Sequence, residues 1–289
     1  MEFPCYIEHC PKLKLKNGMM LQGHSKGGER TSFKIMPLNV VVDGGLASRQ
    51  PSNAVFVTHS HSDHTHNLPW LTNRAKPKMP IICHPKNAVK IERLIHCSHA
   101  LGKDNDDNIL IFDEYCKVQD RYRMVTCNAG DNLLIPEIPN TMIEVLQAHH
   151  ACMKCFGYGF NSIRQKIKPE YKGLSRNEIV ELRKQKIEIT EEVHVPQLIF
   201  FCDSSIENLT EHDEWKKYPV VVCECTGMCE TLSYDYDHTS ITELLPVLLA
   251  NKDHQYIIIH TSMSLKPDFL KTKELELRAM NLDVTIWHS

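Results

Sequence analysis

The stretch Thr58-His59-Ser60-His61-Ser62-Asp63-His64 constrains this chain more than any other. It packs three imidazoles and a carboxylate into six positions, directly after the apolar run Ala54-Val55-Phe56-Val57. A buried strand therefore delivers the chain into a tight loop of metal-type donors. His59 and His61 lie two apart and can project to one side of an extended backbone. Asp63 and His64 follow the turn, where they can face a second ion. Zinc takes neutral imidazole nitrogens and carboxylate oxygens, and a catalytic site keeps room for water. Two ions about 3.5–4 Å apart can steady both oxygens of a phosphoryl displacement. A His-rich surface loop without metal does not explain four donors spaced HxHxDH behind a buried strand.

At 289 residues the chain can bury a substantial core, and 42% hydrophobic with 24% charged residues is the balance of a globular protein. The net charge of −3 advertises no general affinity for polyanions, so any nucleic-acid contact must come from local basic patches such as Lys12/Lys14/Lys16 or Arg74/Lys76/Lys78. No apolar run approaches a membrane span. The N-terminus shows no signal-peptide core, and the twelve cysteines are expected as reduced thiols in a cytoplasmic protein. Cys152/Cys155 and Cys223/Cys225/Cys229 could form a thiolate zinc site, but their spacing is not that of two close pairs; buried free thiols are the expectation.

Strand-like runs are Ser32–Met36, Asn39–Asp43, Ala54–Thr58, Pro80–Cys83, Ile109–Phe112 and Met142–Gln147, then Gln197–Cys202, Val220–Glu224, Gln255–His260 and Asp283–Trp287. Pro85–Leu101, Ser240–Asn251 and Pro267–Met280 read as helices. Two β-rich halves flanked by helices predict an α/β four-layer αββα sandwich, with a site along one edge of the two sheets. Residues 161–196 are rich in Lys, Arg and Glu and carry the capping-box pattern Ser175-Arg176-Asn177-Glu178, which predicts a short exposed helix on an excursion from the core. Tyr158 and Phe160 are expected in the core.

Single donors recur at strand exits: Asp203 after Leu198–Cys202, His260 after Tyr256–Ile259, and His149 and His150 after Met142–Ala148. Asp203 could bridge two ions, or cap a helix at Ser204–Leu209. Asp43 follows Val40-Val41-Val42 and is expected to orient the HxHxDH loop through hydrogen bonds.

With these residues in place, the chain resembles the metallo-β-lactamase superfamily over nearly its whole length, as one domain of residues 1–289. Within it the chain looks most like ribonuclease Z in its short form, the tRNA 3′-end endonuclease. Asn39–Gly45, Thr58–His64, His150 with Phe156-Gly157-Tyr158, Asp203 and His260 are similar to the superfamily's five motifs. Cys223-Glu224-Cys225-Thr226 and His238-Thr239-Ser240 resemble two signatures of the ribonuclease Z branch. Lys168–Leu174 through Val195-Pro196 looks like a subgroup from plants and cyanobacteria. The resemblance implies two zinc ions, with manganese as the substitute. His59, His61 and His150 would hold one, Asp63, His64 and His260 the other, and Asp203 would bridge. It also implies that Asp63 orients the attacking hydroxide, that Glu224 and His238 deliver the proton to the leaving group, that precursor tRNA is the substrate, and that the protein is a homodimer. The third motif carries one extra residue between His150 and Gly157, so His149 rivals His150 as ligand. The Gly/Pro-rich protruding arm of bacterial members is missing; the 161–196 segment, too short to replace it fully, is either a reduced counterpart or a solvated helix without a partner. Gly23–Thr31 resembles the family's substrate-end loop only loosely. The rival readings are a small-phosphodiester hydrolase and a non-catalytic RNA-binding relative.

Overall fold

A computed structural model describes residues 6–73, 78–101, 120–150, 153–229 and 237–288. The strands are β1 (Lys12–Lys14), β2 (Met20–Gly27), β3 (Arg30–Met36), β4 (Val40–Val42), β5 (Ala54–Phe56), β6 (Met79–Cys83), β7 (Tyr122–Thr126), β8 (Asn132–Leu134), β9 (Thr141–His150), β10 (Met153–Ile167), β11 (Thr190–Phe200), β12 (Val220–Glu224), β13 (Gln255–Ile259), β14 (Thr261–Ser262) and β15 (Asp283–Ile286). One sheet runs β1-β2-β3-β4-β5-β6-β7, with β14 added beside β2; the other runs β15-β13-β12-β11-β10-β9-β8. Strands β4 to β7 are parallel to one another, as are β11, β12, β13 and β15, while the hairpins are antiparallel.

The parallel strands read as continuous apolar runs because both faces are covered. Alternate residues then enter different layers. Val40, Val42, Ala54, Phe56, Val220, Val222, Ile257 and Ile259 enter a core between the sheets, with Phe33, Tyr158, Phe160, Phe200 and Trp287. Val41, Val55 and Ile81 face a second core under the helix Pro85–Ala100. Val221, Cys223, Tyr256 and Ile258 face a third, closed by helices Ile241–Ala250 and Pro267–Ala279. Three apolar layers between four of secondary structure make the expected αββα sandwich. Among the described residues no helix is long and apolar enough to cross a membrane.

The 161–196 segment carries the expected short exposed helix, Arg176–Lys184, with the Ser175/Glu178 capping box formed. It is preceded by the 3-10 turn Pro169–Tyr171, and its stems are β10 and β11, paired out to Ile167↔Thr190. Two readings need correction. Gly23–Thr31 is not a loop but the end of the β2–β3 hairpin, paired through Lys26↔Arg30. Helix Glu207–Thr210 is capped by Ile206, so Asp203 is no N-cap. The expected strand Ile109–Phe112, and Arg74, Lys76 and Cys152, lie outside the described residues.

Candidate metal centre

Six strand exits meet at one edge of the sandwich. β4 ends in Asp43, whose φ of 61° lies in the left-handed region; Gly44 and Gly45 follow. A Cβ on Gly45 would stand 2.1 Å from the Asp63 carbonyl, so glycine lets these two loops touch. β5 leads into Thr58–His64, whose Asp63 and His64 begin the one-turn helix Ser62–Thr65. β9 delivers His150, β11 Asp203, β12 Glu224 and β13 His260. His260 has φ 55°, an uncommon conformation for a side-chain-bearing residue; its N–H donates to Ser25 Oγ at 3.1 Å.

Two overlapping donor groups result, His59/His61/His150/Asp203 and Asp63/His64/Asp203/His260, the ligand atoms of each lying within 4.8 Å of one another. Asp203 belongs to both. Its Oδ2 lies 3.7 Å from His59 Nε2, 3.3 Å from His64 Nε2 and 3.1 Å from His260 Nε2. His61 Nδ1 stands 3.0 Å from His59 Nε2 and 3.4 Å from His150 Nε2. Asp63 Oδ2 is 3.4 Å from His64 Nε2.

The hydrogen bonds behind the rings fix their tautomers. His64 Nδ1–H donates to Asp43 Oδ2 at 2.9 Å. His59 Nδ1–H donates to Thr58 Oγ1 at 3.0 Å, and that hydroxyl donates to Asp43 at 2.8 Å. His150 Nδ1–H donates to the Asp237 carbonyl at 3.1 Å. His260 Nδ1–H donates to Thr226 Oγ1 at 2.9 Å, whose hydroxyl donates to Glu224 Oε2 at 2.6 Å. All four rings thereby turn Nε2 into the cluster. Nε2 of His64 and of His260 are buried without a hydrogen-bond partner. Buried polar atoms of that kind are costly, and the lone pairs facing Asp203 are those a divalent cation takes. The donor set fits borderline metals such as zinc.

The electrostatics agree. Burial holds His59, His61 and His260 below the ordinary imidazole range, so their lone pairs stay available; for His59, and well below, the neighbouring His64 adds to the effect. Burial opposes charge on His64 too, yet Asp203, Cys202 and Asp43 hold its proton affinity well above the usual value. Burial raises Asp203, but His260 and His64 outweigh it and keep the carboxylate well below its usual range. The pocket calls for positive charge at its centre.

Beside it lies a second device. His238 Nδ1 donates to Glu224 Oε1 at 2.6 Å, and Glu224, 1% exposed, also accepts from the N–H groups of Ser204 and Thr226, both at 2.8 Å. Burial lowers the affinity of His238 for a proton, but the Glu224 hydrogen bond and charge override it and carry the ring up to about 9. Its centroid stands 5.0 Å from that of His150 and 5.4 Å from that of His260.

Of His149 and His150, it is His150 that joins the donor group. Adjacent strand residues point to opposite sides, and His149 faces outward toward Glu211. Two contributors were not legible in the sequence. Thr226 couples Glu224 to His260, although only its kinship to a motif marked it. Cys202 Sγ, fully buried, stands 3.3 Å from Asp203 Oδ1 and holds the oxygen that faces away from the imidazoles. Nothing in a lone Cys before Asp signals that contact. Cys223 and Cys225 are buried in the helix-side core as free thiols, and Cys155 is buried and free as well; among the described residues no cysteine-rich metal cluster forms.

Sheets and site together define a metallo-β-lactamase-type αββα fold with His, Asp and Glu side chains clustered at one edge in an arrangement suited to holding metal. A family model described as "Beta-lactamase superfamily domain" matches residues 40–162. The chain is homologous, at low identity, to tRNase Z proteins. It is 26% identical to tRNase Z TRZ1 of Arabidopsis thaliana over 259 residues, 85% of this chain and 86% of that protein. It is 23% identical to the same plant's chloroplastic tRNase Z TRZ2, over 90% of this chain and 72% of that one. In three dimensions it is similar to the metallo-beta-lactamase fold protein YhfI from Bacillus subtilis, with a TM-score of 0.56 at 12% identity over 94% and 97% of the two chains.

Proposed function

We propose that this protein is a zinc-dependent endoribonuclease of the ribonuclease Z kind, which removes 3′ trailers from precursor tRNA. His59, His61 and His150 would hold one ion and Asp63, His64 and His260 the other, with Asp203 within reach of both. When bound, such ions lower the pKa of water and neutralise charge on the phosphoryl oxygens. Among Asp43, Asp63 and Asp203, Asp63 is the one that substrate can reach, with 17% of its side chain exposed against 0% and 3%. Asp63 therefore orients the attacking water. His238 keeps its proton at neutral pH and delivers it to the departing ribose oxygen, while Glu224 holds the ring in place.

The observation that carries this reading is the 2.6 Å His238–Glu224 pair beside the donor cluster. A ribose 3′-alkoxide is a poor leaving group, and a positioned acid contributes ~10²–10⁴-fold to its departure. The homology to tRNase Z proteins supports RNA as the polymer. The test is to give zinc-loaded protein a precursor tRNA and, in parallel, a chromogenic phosphodiester. Cleavage at the trailer, lost in Asp63→Ala, is the expected result. Turnover of the small ester with the tRNA left intact overturns the assignment in favour of a small-phosphodiester hydrolase.

A further inference from the structure

His149, displaced from the main cluster, is not idle. Its ring faces Glu211 and His212, and one nitrogen or carboxylate oxygen from each of the three lies within 4.8 Å of the others. The His149 and His212 rings stack with centroids 6.2 Å apart and planes 9° apart. Glu211 Oε2 stands 3.8 Å from His149 Nε2.

Two imidazoles and one carboxylate are a donor set for a borderline divalent cation of the zinc class, which also accepts water in its remaining positions. Bonds of about 2.0–2.1 Å in a tetrahedron set ligand atoms roughly 3.3 Å apart. The present 3.8 Å spacing closes to that by a few tenths of an ångström, and both side chains are about half exposed and free to give it.

Unsatisfied polar atoms point the same way. His149 Nε2 is shielded from solvent and has no hydrogen-bond partner, although 43% of the side chain is exposed. Glu207 Oε2 is likewise shielded and unpartnered, and its carboxylate lies within electrostatic reach of His149. The backbone beneath is fixed: His149 N–H donates to Asn208 Oδ1, and Ser205 N–H donates to the His149 carbonyl, both at 2.8 Å. This corner thus shares one mark of the main cluster: a shielded imidazole nitrogen without a hydrogen-bond partner inside a group of metal-type donors.

We propose that His149, Glu211 and His212 form a further divalent-cation site of the zinc class, on the outer side of the strand exits that supply His150 and Asp203. An ion there ties the segment after Asp203 to the end of β9. It would stiffen the two chain segments that carry inner donors while touching none of them.

The test is equilibrium dialysis of the full chain against micromolar zinc, followed by elemental analysis. His212→Ala and Glu211→Gln should each bind one ion fewer than the parent and hydrolyse a small phosphodiester at the parent rate. Both positions lie at the surface, and circular dichroism checks that the variants fold. In a second measurement, cobalt should broaden the ring signals of His212 in the parent and leave them sharp in Glu211→Gln. An ion count that neither variant lowers, or His212 signals unaffected by cobalt in the parent, overturns the proposal.

Discussion

Thr226 shows how much of this site hangs on one hydroxyl. It donates to Glu224 Oε2 and accepts from His260 Nδ1, so it ties the Glu224–His238 pair to the ring that faces Asp203. Thr226→Val keeps the shape and removes both bonds. Each buried group left without its partner costs about 1–3 kcal/mol. Metal retention, measured by competition with a chelator, should fall ~10–100-fold, as for other groups that orient metal-bound imidazoles. Unchanged retention would mean that His260 is held in place by other contacts. His238→Ala separates leaving groups. Activity on RNA should fall at least ~10-fold more than activity on an aryl phosphodiester, whose phenolate departs unaided. Equal losses would make His238 structural. Among the cysteines, burial pushes the Cys83 and Cys127 thiols up to about 12, whereas Cys97 is exposed. Alkylation needs the thiolate, so iodoacetamide at neutral pH should label Cys97 in the native protein and spare Cys83 and Cys127 until it unfolds; mass spectrometry reads the difference. The metal-type donors were legible because their identity and strand-exit placement are local facts. The roles of Thr226 and Cys202 were not, because their partners arrive only on folding.

At the scale of elements, the helix of residues 161–196 was legible in the sequence while the paired β10–β11 stems that carry it were not. β9 stops pairing with β10 at Thr141↔Ser162, and β12 begins at Leu198↔Val220. Between those limits the two strands pair only with each other and leave the sandwich. Arg164, Gln165, Lys166 and Ile167 are all exposed, so no apolar alternation survives to mark a strand. The Ser175/Glu178 box, by contrast, is a local device, and the helix starts where the sequence places it. The hairpin and its helix carry Lys166, Lys168, Lys172, Arg176, Arg183, Lys184 and Lys186 on an arm that projects from the sheet. As a phosphate-binding arm, it should lose RNA affinity and salt sensitivity when Arg183, Lys184 and Lys186 become Ala. Each contact removed lowers the slope of log affinity against log salt by roughly 0.7–0.9. Hydrolysis of a small phosphodiester should not change. Filter binding across a salt series measures both, and an unchanged slope would leave this helix a solvated one.

For the molecule as a whole, the donors decide how folding and metal depend on each other. His59, His150, Asp203 and His260 come from both sheets, and no fragment of the chain holds the set. The unfolded chain therefore offers an ion only scattered imidazoles and carboxylates, and an ion bound at the cluster stabilises the folded state almost in full. At a free concentration of 1,000 times Kd, one ion contributes about 4 kcal/mol. Domains somewhat smaller than this chain shift by roughly 2–4 °C per kcal/mol, so stripping one such ion lowers the Tm by about 10 °C and a second lowers it further. The metal-free cluster adds its own penalty, because unpartnered Nε2 atoms of His64 and His260 stay buried beside Asp203. Scanning calorimetry with and without chelator, paired with elemental analysis, tests the proposed pair of ions. Two equivalents of transition metal from the main cluster are expected, with the Tm recovered when zinc is returned. A further equivalent should be the one that His212→Ala removes. A Tm indifferent to the chelator, in protein that analysis shows to be free of metal either way, would mean that the cluster is held together by its own hydrogen bonds and that the dinuclear assignment fails.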